Sequence, residues 1–167
     1  MAACYDFTMK NAPDTQPLNA PQWDSLQRFL FEHLPIRGEL VHLDQTWKSV
    51  LERREYPAVL RNMMGELAAA AVLLAATLKL KGALVLQIMG KGAIRLLVVE
   101  CSGDMKLRAT AKWSDELLSS HAASASLPEL IGDGRFAITL DPKDGGPTYQ
   151  GIVELAGNSV ADILQNY

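Results

Sequence analysis

PAVLRNMMGELAAAAVLLAATLKLKGALVLQIMGKGAIRLLVV, residues Pro57 to Val99, decides the fold. Its first half repeats apolar residues at three- and four-residue steps (Leu60, Met63, Met64, Leu67, Ala71, Leu74, Leu78), the period of a helix. Pro57 suits the first turn, where its missing N–H has no partner to lose. The opposite side, Ala68, Ala69, Val72, Ala75 and Ala76, is scarcely more polar. A helix that is apolar all round is buried on more than one side, so the rest of the chain must wrap it. Lys79, Lys81 and Gly82 are the expected stop, cations against the last carbonyls and then glycine. The uncharged run from Leu67 to Leu78 falls short of the ~20 residues a bilayer demands. The expectation is a buried helix of a soluble domain, with no membrane partner.

The second half is strand-like. Ala83 to Met89 and Ala93 to Glu100 flank Gly90-Lys91-Gly92, a hairpin signal. That triplet lacks the spacing of a phosphate-binding loop and no helix follows it, so it reads as a turn. In Leu84-Val85-Leu86-Gln87-Ile88-Met89 and Leu96-Leu97-Val98-Val99, both faces carry large apolar side chains. One face can pack on the helix. The other needs a second layer, a partner or a client, and a second sheet of the same chain is the ordinary cover.

Working outward, residues 1–21 hold Pro13, Pro17 and Pro21 without sustained periodicity and read as a flexible N-terminal extension. Residues 22–167 read as one core domain. Leu26 to Phe31 fits either a short helix or a strand; Pro35 bars a long helix, and two strands joined near Leu34-Pro35 are preferred. Asp44 suits the N-cap of a short helix on which Trp47, Val50 and Leu51 share a face. Downstream, Met105 to Trp113 alternates Leu107, Ala109, Ala111 and Trp113 inward with charged residues and Thr110 outward. One helical turn is expected at Asp115 to Leu118. Arg135 to Leu140 and Tyr149 to Leu155 form a further hairpin, and Val160 to Leu164 a short helix. The fold class is therefore α+β: two packed, largely antiparallel or mixed sheets with a long buried central helix.

Composition narrows the function. The chain has 167 residues, 49% hydrophobic and 21% charged, with net charge −3. Its Lys and Arg residues are scattered, which gives no nucleic-acid footprint. Cys4 and Cys101 form no paired motif, and His33, His42 and His121 lack metal spacing, so neither metal nor cofactor is expected in this chain. No apolar leader opens the sequence, which points to the cytoplasm. Gly157-Asn158-Ser159-Val160-Ala161 faintly resembles a nucleophile elbow, but no histidine follows, and Ser159 reads better as a helix cap. The Asp141 to Asp144 loop lacks calcium-ligand spacing, and nothing brings Glu39 and Glu100 together. No enzyme is expected.

Gln27-Arg28-Phe29-Leu30-Phe31-Glu32 followed by Ile36-Arg37-Gly38-Glu39-Leu40-Val41 resembles the opening of the heat shock protein 33 family. The likeness continues through Leu73 to Lys79 and Leu86 to Gly92, and closes with Tyr149-Gln150-Gly151-Ile152-Val153. The resemblance implies a cytosolic, redox-regulated holdase chaperone whose core has two packed sheets with helices. In that family a C-terminal four-cysteine site releases zinc on oxidation, a helical linker unfolds, a client-binding surface is uncovered and dimers form. Cys4 and Cys101 match none of those ligands, so the expectation is a core domain without linker or switch, and zinc only in a domain absent here. The expected function is ATP-independent binding of unfolded proteins under heat or oxidative stress. The two-faced strands make Leu84, Leu86, Ile88, Leu96 and Val98 the candidate client-binding residues, with a homodimer as the further partner. The alternative is a non-chaperone oligomerisation or ligand-binding module using the same apolar face.

Overall fold

The computed structural model describes residues 23–78, 81–121, 125–142 and 145–165. The extension expected over residues 1–21, the stop residue Lys79 and Asp144 lie outside them. The chain begins with strands β1 (Ser25–Leu30) and β2 (Arg37–His42), then helices α1 (Gln45–Leu51) and α2 (Ala58–Leu78). Strands β3 (Gly82–Gly90), β4 (Ile94–Ser102) and β5 (Leu107–Trp113) follow. Helices α3 (Asp115–Ser119) and α4 (Leu127–Ile131) lead to β6 (Gly134–Pro142), β7 (Tyr149–Val153) and α5 (Val160–Gln165). β1 and β2 form one antiparallel sheet; the other five strands form a second, in the order β5-β4-β3-β6-β7. All pairings are antiparallel, and the expected α+β class with two sheets and a long helix holds.

The central helix forms where its period placed it. Leu60, Met64, Leu67, Ala68, Ala71, Val72, Ala75 and Ala76 are buried along it. They meet one face of the large sheet, whose rows run Ala111, Leu97, Ile88, Phe136, Val153 and Ala109, Val99, Leu86, Ile138, Gly151. By length and composition α2 is apolar enough to span a bilayer. Here it joins one core cluster with residues of β3, β4, β5 and β6. Each fully buried leucine or isoleucine in that layer contributes about 1.5–3 kcal/mol through the hydrophobic effect.

The small sheet lies on the same side. Leu26 and Val41 pack against the core cluster that α2 anchors. Arg28 donates from Nη2 to the Ala76 carbonyl at 2.5 Å, satisfying an orphan acceptor in the last turn of α2. Its Nε holds Glu39 at 2.8 Å, and Glu39 accepts from Thr77 Oγ1 at 3.1 Å. A second sheet of this chain therefore packs on the helix side, and the other face of the large sheet does not receive it.

Three local expectations change. Asp44 sits at the N-cap of α1 but makes no capping bond with its side chain. The carboxylate of Asp24 does that work: it accepts from the Asp44 amide at 2.6 Å, the Thr46 amide at 2.9 Å and Thr46 Oγ1. Gly82 does not end the helix but opens β3 opposite Pro142, where a Cβ would collide with the Asp141 carbonyl. Helix α4 forms at Leu127–Ile131, where no helix was expected, started by a capping box in which Ser126 and Glu129 satisfy each other's ends.

Gly65 lies inside α2, and a Cβ there would sit 3.5 Å from the Trp47 ring, an ordinary contact. Gly65→Ala is expected to stabilise the fold by about 0.5–1 kcal/mol, since alanine loses less backbone entropy in a helix. Leu86→Ala is expected to cost about 2–5 kcal/mol by opening a cavity under α2. Urea denaturation of both variants checks the pair; a destabilised Gly65→Ala would contradict the packing of Trp47 on α2.

Candidate functional site

The alternation of β3 and β4 separates the five candidate residues. Leu84, Leu86 and Ile88 point at α2 and are 0% exposed. They are core, and no client reaches them in this conformation. The physical reason is the two-residue period: a strand offers one parity to each face, and α2 takes theirs. Leu96 and Val98 point the other way and are half-buried. Neither belongs to the core cluster nor packs against it, and the same holds for Val85, Met89 and Ile152.

The outer face is therefore built in rows across the strands. The first row is Lys112, Leu96, Met89, Arg135; the second is Thr110, Val98, Gln87, Ala137, Ile152. The third is Arg108, Glu100, Val85, Thr139, Gln150. An apolar strip crosses the middle, with Ile152 59% exposed at its β7 end. Arg108 Nη2 bonds Glu100 Oε1 at 2.6 Å, which neutralises that corner and raises the guanidinium pKa. Every described helix places side chains in or against the opposite core: Val50 of α1, Leu67 of α2, Leu118 of α3, Ile131 of α4 and Ile163 of α5. None is left to form a layer over the outer face.

A second apolar surface sits at the end of the small sheet. Leu30 is 78% exposed, and Phe29, Phe31, Leu34, Ile36 and Leu40 are exposed around it. Phe29 and Phe31 meet edge to face at 5.9 Å, and the Phe29 ring lies over Gly38 where any side chain would clash. The sequence held the signal. Phe29-Leu30-Phe31 is apolar at both parities, whereas a hairpin resting on one helix can bury only one.

The positions weighed for chemistry have structural work. In the β3–β4 turn, the Lys91 amide donates to the Asp133 carbonyl at 3.1 Å and the Gly92 amide to Ile131 at 2.7 Å. Those amides face backbone carbonyls instead of a phosphate. Ser159 Oγ accepts from the Asp162 amide at 3.1 Å, the bond of a helix cap. Glu39 and Glu100 lie on different sheets, each bonded to its own arginine. In the cleft between α2 and α5, Glu66 already accepts from the Val160 amide at 3.3 Å. Among the described residues no His, Cys, Asp and Glu side chains gather in a group of three that could hold a metal. Cys101 is buried, and burial, then Asp104 and Glu100, push its thiol up to about 12.

The family model "Hsp33 protein" matches residues 24–167. The 33 kDa chaperonin of Methylobacillus flagellatus is 55% identical over 145 residues, covering 86% of this chain and 48% of that protein. That of Chromobacterium violaceum is 49% identical over 152 residues, covering 90% of this chain and 50% of the relative. The chain thus spans about half the length of the curated relatives it matches. Among solved structures, the 33 kDa chaperonin (heat shock protein 33 homolog) of Thermotoga maritima superposes with a TM-score of 0.65 at 21% identity. The match covers 81% of this chain and 46% of that one, and it shows a shared fold.

A thiol held this far above its ordinary range carries almost no thiolate at neutral pH. In a Cys4→Ser variant, Cys101 is expected to resist a disulfide reagent such as dithionitrobenzoate in the native state and to react fully in urea. Rapid native labelling would place Cys101 at the surface.

Proposed function

The chain belongs to the Hsp33 family, and on that premise we propose that it is a client-binding chaperone core: an ATP-independent holdase of the cytoplasm. It holds unfolded proteins under heat or oxidative stress and keeps them from aggregating. The observation that carries this reading is the outer face of the large sheet, an apolar strip of Val85, Met89, Leu96, Val98 and Ile152 outside the core. A holdase needs no catalytic group. It needs apolar area that binds unfolded chains through the hydrophobic effect, and whatever binds the unfolded state shifts it away from aggregation. No zinc or redox role is assigned to Cys4 or Cys101.

The exposed end of the β1–β2 hairpin favours a second reading, in which Phe31, Leu34, Ile36 and Leu40 bind another copy of the chain or share the client. Light scattering from a heat-denatured client enzyme separates the two. The purified chain is expected to suppress aggregation near equal molar ratio. A Leu96→Asn, Val98→Thr variant is expected to lose most of that suppression, with its melting midpoint unchanged. A Phe31→Ser, Leu40→Asn variant is expected to keep it. The reverse pattern would move the site to the hairpin, and a chain that neither suppresses aggregation nor self-associates would sink the holdase reading.

A further inference from the structure

The first row of the outer face carries a charge pattern that a purely apolar binder would not need. Lys112 on β5 pairs in register with Leu96, Leu96 with Met89, and Met89 with Arg135 on β6. The row thus reads cation, apolar, apolar, cation. Lys112 and Arg135 are exposed, and among the described residues neither has an ion pair within 4.0 Å, Glu154 beside the β7 end included. The acid on this face that does have a partner, Glu100, is taken by Arg108. The strip is left with a cation at each end that no salt bridge holds among the described residues, Glu154 standing next in register beside Arg135 without bonding it.

We propose that this face selects client segments in which a short apolar run is flanked by acidic residues, the carboxylates meeting Lys112 and Arg135. The inference rests on the holdase reading and adds a recognition rule to it. Strands lie about 4.8 Å apart, so the two cations stand three spacings, about 14 Å, from each other. An extended segment crossing the strands covers that span with about four residues at ~3.3 Å each. Those residues lie over Leu96 and Met89, and their neighbours reach the cations. A basic-flanked segment of equal hydrophobicity meets like charge at both ends. Exposed ion pairs are individually weak, so the effect is a preference among apolar clients, and salt erases it.

Fluorescence anisotropy with three labelled peptides tests the rule. All share a Leu-Val-Phe-Leu core, with paired glutamates, paired lysines or paired serines at each end. The intact chain is expected to bind the glutamate peptide about fivefold tighter than the lysine peptide at low salt, from two weak ion pairs. The serine peptide is expected to fall between them, and the spread to collapse in high salt. Lys112→Glu with Arg135→Glu is expected to invert the order while leaving the melting midpoint and serine-peptide affinity unchanged. Equal binding of all three peptides would overturn the rule and leave the holdase reading intact. A preference that survives the double variant would overturn it too. No binding together with no aggregation suppression would remove both. If the double variant changes only a monomer–dimer equilibrium in sedimentation, the face belongs to a second copy and the inference fails.

Discussion

A helix covers one face of a sheet, and the helices among the described residues all pack on the same face. α2 is about 10–12 Å across with its side chains, while five strands at ~4.8 Å spacing make a broader platform. The remainder of the inner face is closed by α1, α4 and α5, whose buried residues share one cluster with α2, and by the small sheet, whose Leu26 and Val41 pack against that cluster. The second face is left with its own side chains and nothing from the described residues above them. The proposed client face is a consequence of that asymmetry. An ordinary antiparallel sheet with one solvated face would carry polar residues there. This one carries Val85, Met89, Leu96, Val98 and Ile152 among its threonines and charges.

The small sheet depends on two polar anchors more than on its own size, since an isolated two-stranded hairpin is marginal in water. Arg28 ties its middle to the C-terminal carbonyls of α2, and Asp24 ties its base to the start of α1. Both are helix-end bonds, where a side chain satisfies a backbone group that the helix itself cannot. They hold the sheet at its root. Beyond the Arg28–Glu39 pair the strands continue without such support, and there the exposed Phe29, Leu30 and Phe31 collect. The hairpin is polar where it is fastened and apolar where it is free, the opposite of what solubility alone would select.

Much of the fold was legible because strong periods were present. The three- and four-residue steps from Leu60 to Leu78 gave α2, and Gly90-Lys91-Gly92 between two aliphatic runs gave the central hairpin. The site was half legible. Leu84, Leu86 and Ile88 were grouped with Leu96 and Val98 by hydrophobicity, which cannot say which parity a helix will occupy. Reading β3 against β4 in register would have separated them, since Leu84, Leu86 and Ile88 face Cys101, Val99 and Leu97, not Leu96 or Val98. The Asp24 cap was out of reach because its partners lie across a hairpin, twenty positions on. The helix at Leu127 was within reach, for Ser126 and Glu129 carry the spacing of a capping box.

The strand order of the large sheet has a bearing on how the molecule comes into being. β3, β4 and β5 wind locally, as do β6 and β7, and a single seam between β3 and β6 joins the two pieces, zipping residues as distant as Gly82 and Pro142. Closing such a loop is the slow, entropically unfavourable event in assembling a sheet of this kind. The strip of Met89, Val98, Ala137 and Ile152 straddles that seam. It exists only where β3 and β6 are paired; unpaired, the two pieces carry loose aliphatic strands. A chain caught before that closure leaves exposed the aliphatic strands that the finished sheet pairs.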